Sequence, residues 1–136
     1  MASQLNPYLQ FDGKAREAAE FYRSVFGGDL RINTYGEFGS PDPATADLVM
    51  HGQLTGERGY TLMVADAPPG MPHIPGNNVT CSLSGDPGEG LEDAWEKLSD
   101  GATIQVPFEK QMWGDTFGQL TDRFGIQWMV NVVTSP

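Results

Sequence analysis

The chain has 136 residues, with 8 Lys and Arg against 18 Asp and Glu, which gives a formal net charge of −10 at pH 7. Nucleic acids and anionic membrane surfaces attract clustered basic residues, so this charge argues against both partners, and no apolar run is long enough to span a membrane. The single cysteine, Cys81, excludes an intrachain disulfide and, with no secretion signal in residues 1–30, favours a cytoplasmic protein.

The first half of the chain begins with an extended segment, followed by an amphipathic helix and three further extended segments. The apolar spacing i, i+3, i+4, i+7 predicts the helix, and a Gly-Gly pair favours its end there. The predicted elements are strand Leu5–Phe11, helix Ala18–Gly28 and strands Leu30–Tyr35, Asp47–Thr55 and Tyr60–Ala65.

A segment rich in Pro and Gly, residues 67–77, separates this half from the second and is predicted to be irregular. The same order of elements then returns. The predicted elements are strand Asn78–Ser84, helix Leu91–Gly101 and strands Thr103–Phe108, Asp115–Thr121 and Ile126–Val133.

The two halves therefore read as one pattern written twice. An offset of 73 residues superposes the helix ends (101 − 28), and an offset of 66 superposes the glycines that open the last strands (125 − 59). The sequence predicts an α+β fold of two βαβββ modules within a single domain, 1–136, with module one at 5–66, a linker at 67–77 and module two at 78–134.

Alternation along the strands separates an apolar face, placed under the helices, from a mixed one. The mixed face carries amides, hydroxyls, thioethers and aromatics, and it is predicted to include Val49 beside His51 and Gln53. This composition is typical of small-molecule pockets, although a subunit interface can show a similar one. The candidate ligand-binding residues are Gln53, Met63, Thr80, Trp113, Phe117, Gln119, Gln127, Met129 and Asn131.

Three stretches carry a family resemblance: PYLQFDGKAREAAEFYRSVFGGDL, MHGQL and QMWGDTFGQLTDRFGIQWMVNV. They are similar to the PhnB-like branch of the vicinal oxygen chelate superfamily, which includes glyoxalase I, bleomycin-resistance proteins and extradiol dioxygenases. The resemblance covers essentially the whole chain. It implies a curved, mostly antiparallel, cup-shaped sheet with the helices outside, usually in a homodimer.

The resemblance also implies where a divalent metal would bind in better-known members. The corresponding positions are Pro7, Met63, Thr80 and Met129, which lack the imidazole and carboxylate ligands expected for Mg²⁺ or Zn²⁺. A two-residue shift in the last strand would bring in Gln127 or Asn131, still without either ligand type. We therefore expect no metal and no other cofactor.

His51 is the candidate catalytic residue, because an imidazole on the mixed face can act as a general base near neutral pH. Asp66, at the end of a neighbouring strand, is its nearest candidate partner. The alternative is a histidine that bonds a neighbouring strand or a partner chain. For Trp113 and Phe117 the alternatives are stacking on a ligand and filling a dimer interface.

Three functions remain open at this stage. The first is binding of a small molecule in a metal-free cup. The second is a glyoxalase-type lyase or isomerase with His51 as general base and a carbonyl polarised by Gln53, Gln119 or Gln127. The third is sequestration of a cationic drug, which the net charge of −10 would suit. A methyltransferase is not expected, because the glycine cluster at 85–90 does not follow the strand of a parallel βαβ unit.

Overall fold

The computed structural model describes residues 3–39, 42–68 and 70–134. The chain divides into two compact units, Met1–Ile74 and Pro75–Pro136, and each is described by itself. Within the described residues, no helix combines the length and the apolar character needed to cross a membrane.

The first unit consists of one helix and a four-stranded mixed sheet. Its strands lie in the order β1-β4-β3-β2, with β1 parallel to β4 and the other neighbours antiparallel. A short 3₁₀ turn, Gly36–Phe38, follows β2. The elements are β1 Tyr8–Phe11, α1 Ala15–Phe26, β2 Asp29–Thr34, β3 Val49–Thr55 and β4 Thr61–Asp66.

The second unit has the same composition and the same strand order, β5-β8-β7-β6, again with the first and last strands parallel. The predicted duplication and the α+β class are therefore confirmed. The elements are β5 Cys81–Gly85, α2 Leu91–Leu98, β6 Thr103–Lys110, β7 Thr116–Thr121 and β8 Gln127–Val132. Residues 67–68 and 70–80, between β4 and β5, form no helix or strand.

Apolar residues at alternate strand positions pack under each helix. In the first unit the small residues Ala15, Ala18 and Ala19 let α1 approach β2, β3 and β4 closely. In the second unit Leu91, Ala94 and Leu98 line the buried face of α2. The strand residues buried opposite the mixed face are Leu54, Leu62, Val64, Leu83, Leu120, Trp128 and Val130.

Both predicted first strands were too long at their N-terminal ends. The first begins at Tyr8 rather than Leu5, because Pro7 has no N–H to contribute to the ladder and offers only its carbonyl, which accepts from the Met63 N–H at 3.1 Å. The second begins at Cys81 rather than Asn78.

The offset of 73 does not hold for the first strands. Tyr8 pairs with Met63, and Ser82 pairs with Met129, so equivalent residues stand 74 positions apart (82 − 8). The loop and the helix together explain the difference. The loop after β5, residues 86–90, is two residues longer than the loop after β1, residues 12–14, while α2 has 8 residues against 12 in α1, so an offset counted at the helix ends does not carry over to the strands. The side chains beside Met63 and Met129 are consequently those of Tyr8 and Ser82, not those of Pro7 and Thr80.

Val49 was also assigned to the wrong face. Asn33 pairs with His51 but Thr34 pairs with Val49, so Met50 is an extra residue in β3. This β-bulge turns the side chain of Val49 into the core, where it is 1% exposed.

Candidate functional site

The polar face of the first unit's sheet lies opposite the buried apolar residues. Four neighbouring side chains on this face come from the three strands β1, β4 and β3. Tyr8 lies beside Met63, Met63 lies beside Gln53, and His51 follows two residues from Gln53 along β3. His51, Gln53 and Met63 are each partly exposed.

A hollow of about 320 Å³ opens on this face between β2 and β3. Six polar side chains line it as three pairs in register: Asn33 with His51, Arg31 with Gln53, and Asp29 with Thr55. His51 and Gln53 were predicted as site residues, but their four companions were missed. Polar residues at the alternate positions 29, 31 and 33 indicate that these β2 side chains share one face of the sheet.

Arg31 is central among the three register pairs. Among the six lining side chains, Arg31 carries a positive charge and Asp29 carries a negative charge. Within the part of the chain that the structure describes, no carboxylate forms an ion pair with the Arg31 guanidinium. Its donors therefore face solvent in the hollow.

His51 forms a hydrogen bond with Tyr8 rather than with a carboxylate. The Tyr8 Oη and the His51 Nδ1 are 2.8 Å apart, and the two rings are tilted at 56° with centroids 5.5 Å apart. Burial raises the pKa of Tyr8 above its ordinary value of 10.0, so the phenol is neutral at physiological pH. A neutral phenol can either donate to Nδ1 or accept from it, and this choice decides whether Nε2 donates or accepts.

Asp66 is not the partner of His51, contrary to the sequence-based expectation. Its side chain is buried and points away from the hollow, where Oδ1 accepts from the Ala15 N–H at 3.0 Å and Oδ2 accepts from the Val49 N–H at 2.9 Å. Tyr35 also donates its hydroxyl to the Asp66 backbone carbonyl at 3.1 Å. Asp66 thus accepts hydrogen bonds from the first residue of α1 and from the first residue of β3, which is a structural role.

The other predicted ligand residues lie in the second unit. Gln119 pairs in register with Met129, and the Trp113 and Phe117 rings meet edge to face with centroids 5.8 Å apart. Thr80 precedes β5 and is half-buried.

Two amides of this second face already have partners. The Gln127 Nε2 donates to the Val79 carbonyl at 2.8 Å, and the Asn131 Nδ2 donates to the Asp115 Oδ2 at 3.1 Å. Both side chains therefore have less capacity for a ligand than Gln53 has.

Comparison with known proteins identifies the family. Residues 4–130 match the model of the Glyoxalase/Bleomycin resistance protein/Dioxygenase superfamily. The chain belongs to this superfamily. It is 28% identical to protein YjdN of Escherichia coli (strain K12) over 144 residues, covering 95% of each chain.

Solved structures agree with the superfamily fold. Protein PA1353 from Pseudomonas aeruginosa is 35% identical, with a TM-score of 0.83, and the match covers 96% of this chain and 98% of that one. A PhnB protein from Bacillus cereus, described as a putative 3-demethylubiquinone-9 3-methyltransferase, is 23% identical, with a TM-score of 0.78, and the match covers 96% and 100%. The second likeness shows a shared fold.

The superfamily's divalent metal does not fit the donor atoms found here. The sheet register places Tyr8 with Met63 in one unit and Ser82 with Met129 in the other, and each pair offers one hydroxyl and one thioether. Hard cations prefer carboxylate and carbonyl oxygens, and Zn²⁺ prefers imidazole and thiolate. Across residues 3–39, 42–68 and 70–134, no three His, Cys, Asp or Glu side chains come together as a metal site.

Cys81 does not have the surroundings of a reactive thiol. Burial raises the pKa of its thiol above the ordinary 9.0, and the nearby Asp122 carboxylate raises it further. Since the thiolate is the nucleophile, the raised pKa lowers the reactivity of Cys81 at neutral pH.

Proposed function

We propose that this superfamily member binds a small molecule in the polar hollow of its first unit. The observation that carries the proposal is the hollow itself, with His51, Arg31 and Gln53 converging on about 320 Å³. Pockets for small ligands have volumes of about 300–1,000 Å³ and fix their ligands through a few placed polar groups. Tyr8 and Met63 extend the same face beyond the hollow and would contact a larger ligand.

Mapping of ligand contacts by NMR tests this proposal. A fragment library titrated into ¹⁵N-labelled protein should shift the amide signals of Asp29–Thr34 and Val49–Thr55 above all others. Gln53→Ala should weaken the best fragment about tenfold, because it removes a hydrogen bond at the wall of the hollow. Gln105→Ala, an exposed glutamine on β6, is the matched control and should leave binding unchanged. Shifts confined to β6–β8 would move the site to the Trp113–Phe117 face and contradict the proposal.

A second candidate function is a glyoxalase-type isomerase or lyase, and the hydrogen bond between Tyr8 and His51 favours it. If the His51 Nδ1–H donates to the Tyr8 Oη, then Nε2 is free to remove a proton from a substrate carbon. Gln53, two residues away on the same face, can donate to the substrate carbonyl as charge develops on it.

Turnover of the hemithioacetal of methylglyoxal tests the catalytic alternative. His51→Ala should lower the rate by about 10²–10⁴-fold, which is the range of general-base effects. His73→Ala, in the segment between β4 and β5, is the control and should leave the rate unchanged. Equal rates in the wild-type protein and His51→Ala would eliminate this candidate.

Sequestration of a cationic drug is a third candidate. The net charge of −10 and the presence of Asp29 in the hollow favour it. Calorimetric titration with bleomycin tests it directly, and the absence of heat at millimolar protein would reject it.

The homodimer and the cytoplasmic location are also proposals. Supporting the dimer, large apolar side chains are strongly exposed in this chain, including Leu5, Ile74, Val79 and Met112. Sedimentation equilibrium measures the oligomeric state. Supporting the cytoplasm, the sequence contains one cysteine among 136 residues.

A further inference from the structure

We propose that the hollow selects small monocarboxylic acids, with the ligand's carboxylate bound by Arg31. This inference rests on the proposed function and gives its ligand a chemical class. It follows from the positions of the charged groups around the hollow, from the state of Arg31 and from the donors that surround it.

Arg31 differs from four other basic residues of the chain in what surrounds it. Lys14, Arg23, Lys97 and Arg123 each have a carboxylate within 4 Å, at 3.8, 3.5, 3.1 and 2.7 Å respectively. Arg31 has no such partner among the described residues, although the chain carries 18 acidic side chains. A guanidinium without an ion pair inside a hollow is available to an anionic ligand.

The neighbours of Arg31 add hydrogen-bond donors on two sides. Gln53 lies directly across the strand pair, and Asn33 lies two residues along β2, about 7 Å away by strand geometry. His51 is the diagonal neighbour, at about 7–8 Å between backbone positions, within reach of a shared ligand. A carboxylate bound in the Arg31 fork can therefore accept from amide or imidazole N–H groups as well.

The hydrogen bond with Tyr8 allows His51 to act as one of these donors. When the neutral phenol, whose Oη lies 2.8 Å from Nδ1, donates its proton to that nitrogen, a neutral imidazole carries its own proton on Nε2. In this tautomer His51 donates to the ligand, whereas the catalytic alternative needs the opposite tautomer. Acid binding and general-base catalysis thus require opposite tautomers of His51 beside Tyr8.

Asp29 restricts the number of charges that the ligand can carry. It lines the hollow two residues from Arg31 on the same face of β2. A second negative charge in the hollow would lie close to this carboxylate and be repelled by it. The hollow therefore favours monocarboxylates over dicarboxylates and over inorganic phosphate, which is partly a dianion at neutral pH.

The test compares acids with their own methyl esters. Benzoate, phenylacetate and lactate are titrated into ¹⁵N-labelled protein beside methyl benzoate, methyl phenylacetate and methyl lactate, with inorganic phosphate as a further probe. At least one acid should shift the amides of β2 and β3, and its ester should bind about tenfold more weakly or worse, since a hydrogen bond to a charged group is lost. Added salt should weaken the acid but not the ester.

Substitution of Arg31 gives the second arm. Arg31→Gln should weaken the best acid about tenfold or more and leave its ester unchanged, while Arg16→Gln should leave both within about twofold. Arg16 is the matched control because it is an exposed arginine on α1, outside the hollow. Arg31 is itself exposed, and circular dichroism confirms that its variant is folded.

The outcomes separate the inference from the proposed function. Shifts at β2 and β3 that are equal for acid and ester, and unaffected by Arg31→Gln, would overturn the monocarboxylate inference and leave the binding site in place. Stronger binding of phosphate than of any acid would overturn the charge restriction assigned to Asp29. If neither acids nor esters shift the amide signals of β2 and β3, while a fragment from the wider library does, only the monocarboxylate inference is wrong. If no compound shifts these signals, both the inference and the proposed function are wrong.

Discussion

The two units share one strand order, yet within the described residues each buries its carboxylate in a different place. In the second unit Asp122, 4% exposed, lies in the turn between β7 and β8. In the first unit Asp66, 2% exposed, lies at the end of β4. The positions that correspond to them at the 66-residue offset are Gly56 and Val132, so neither carboxylate is repeated.

The turns show how the same backbone is stabilised in two ways. In one, the Gly56 N–H donates to the Tyr60 carbonyl at 2.7 Å; in the other, the Asp122 N–H donates to the Ile126 carbonyl at 2.8 Å. Asp122 adds a side chain that accepts from the N–H groups of Phe124 and Ile126 and from the indole of Trp128, at 2.8, 3.1 and 2.8 Å.

The residues in β4 and β8 explain why the first unit does without this carboxylate. Trp128 brings a buried N–H that needs an acceptor, whereas its counterpart Leu62 brings none. The two units therefore share the alternation of their strands and their backbone pairing. Each buried carboxylate instead accepts from N–H groups that are particular to its own unit.

Removal of Asp122 should have the largest effect. Asp122→Ala leaves three N–H groups without their acceptor, and we expect a loss of about 3–5 kcal/mol in the free energy of unfolding, measured by urea denaturation. Asp100→Ala is the control, because Asp100 is an exposed carboxylate whose ion pair with Arg123 lies at the surface, and this substitution should cost less than about 1 kcal/mol. Equal losses in the two variants would contradict the role assigned to Asp122.

Removal of Asp66 should have the next largest effect. Asp66→Ala leaves two buried N–H groups unpaired, those of Ala15 and Val49, and we expect a loss of about 2–4 kcal/mol. Hydrogen exchange should show the first turn of α1 opening more readily than its last turn. Asp47→Ala, an exposed carboxylate before β3, should change stability by less than about 0.5 kcal/mol. Unaltered protection of α1 in Asp66→Ala would refute this account of how the helix begins.

Alkaline pH should have the smallest effect, and a tyrosine substitution isolates the contribution of the first unit. Burial raises the pKa of Tyr8, and burial, then Asp66 and Tyr8, raise that of Tyr35. The unfolded chain therefore loses these protons first, so the stabilisation is present below about pH 10 and is lost as the pH rises through the native-state pKa values. Urea midpoints measured at pH 8 and at about pH 10.5 should fall less for Tyr8→Phe than for the wild-type protein. A fall of the same size in both would remove Tyr8 from the explanation.

Much of the fold could be predicted from the sequence because alternation and glycine placement are local signals. These signals predict the order of strand, helix and three strands. They also predict the apolar faces and the repeat in β4 and β8. The start of α1 was missed by three residues because its cap is remote: the Ala15 N–H is satisfied by Asp66 from β4, and Lys14 offers no side-chain cap.

The candidate site was harder to predict because it depends on register. Tyr8 was overlooked since the repeat, counted through a loop and a helix of different lengths, placed Pro7 where Tyr8 stands. Arg31 and Asp29 were overlooked since their place beside Gln53 and Thr55 depends on how β2 pairs with β3 across the turn and loop between them. His51 and Gln53 were found because their polar character stands out within one strand.

The central position of β4 and β8 has a consequence for synthesis of the chain. Each is the last strand of its unit to leave the ribosome, yet each lies between two strands made earlier. Until residue 66 emerges, β1 has no neighbour and β2 and β3 can form only a hairpin, with their apolar side unpaired at its edge. Because β1 and β4 are separated by about 50 residues, closing this gap is an entropically costly late step, so we expect nascent chains ending before β4 or β8 to be the most exposed to aggregation and to chaperone capture.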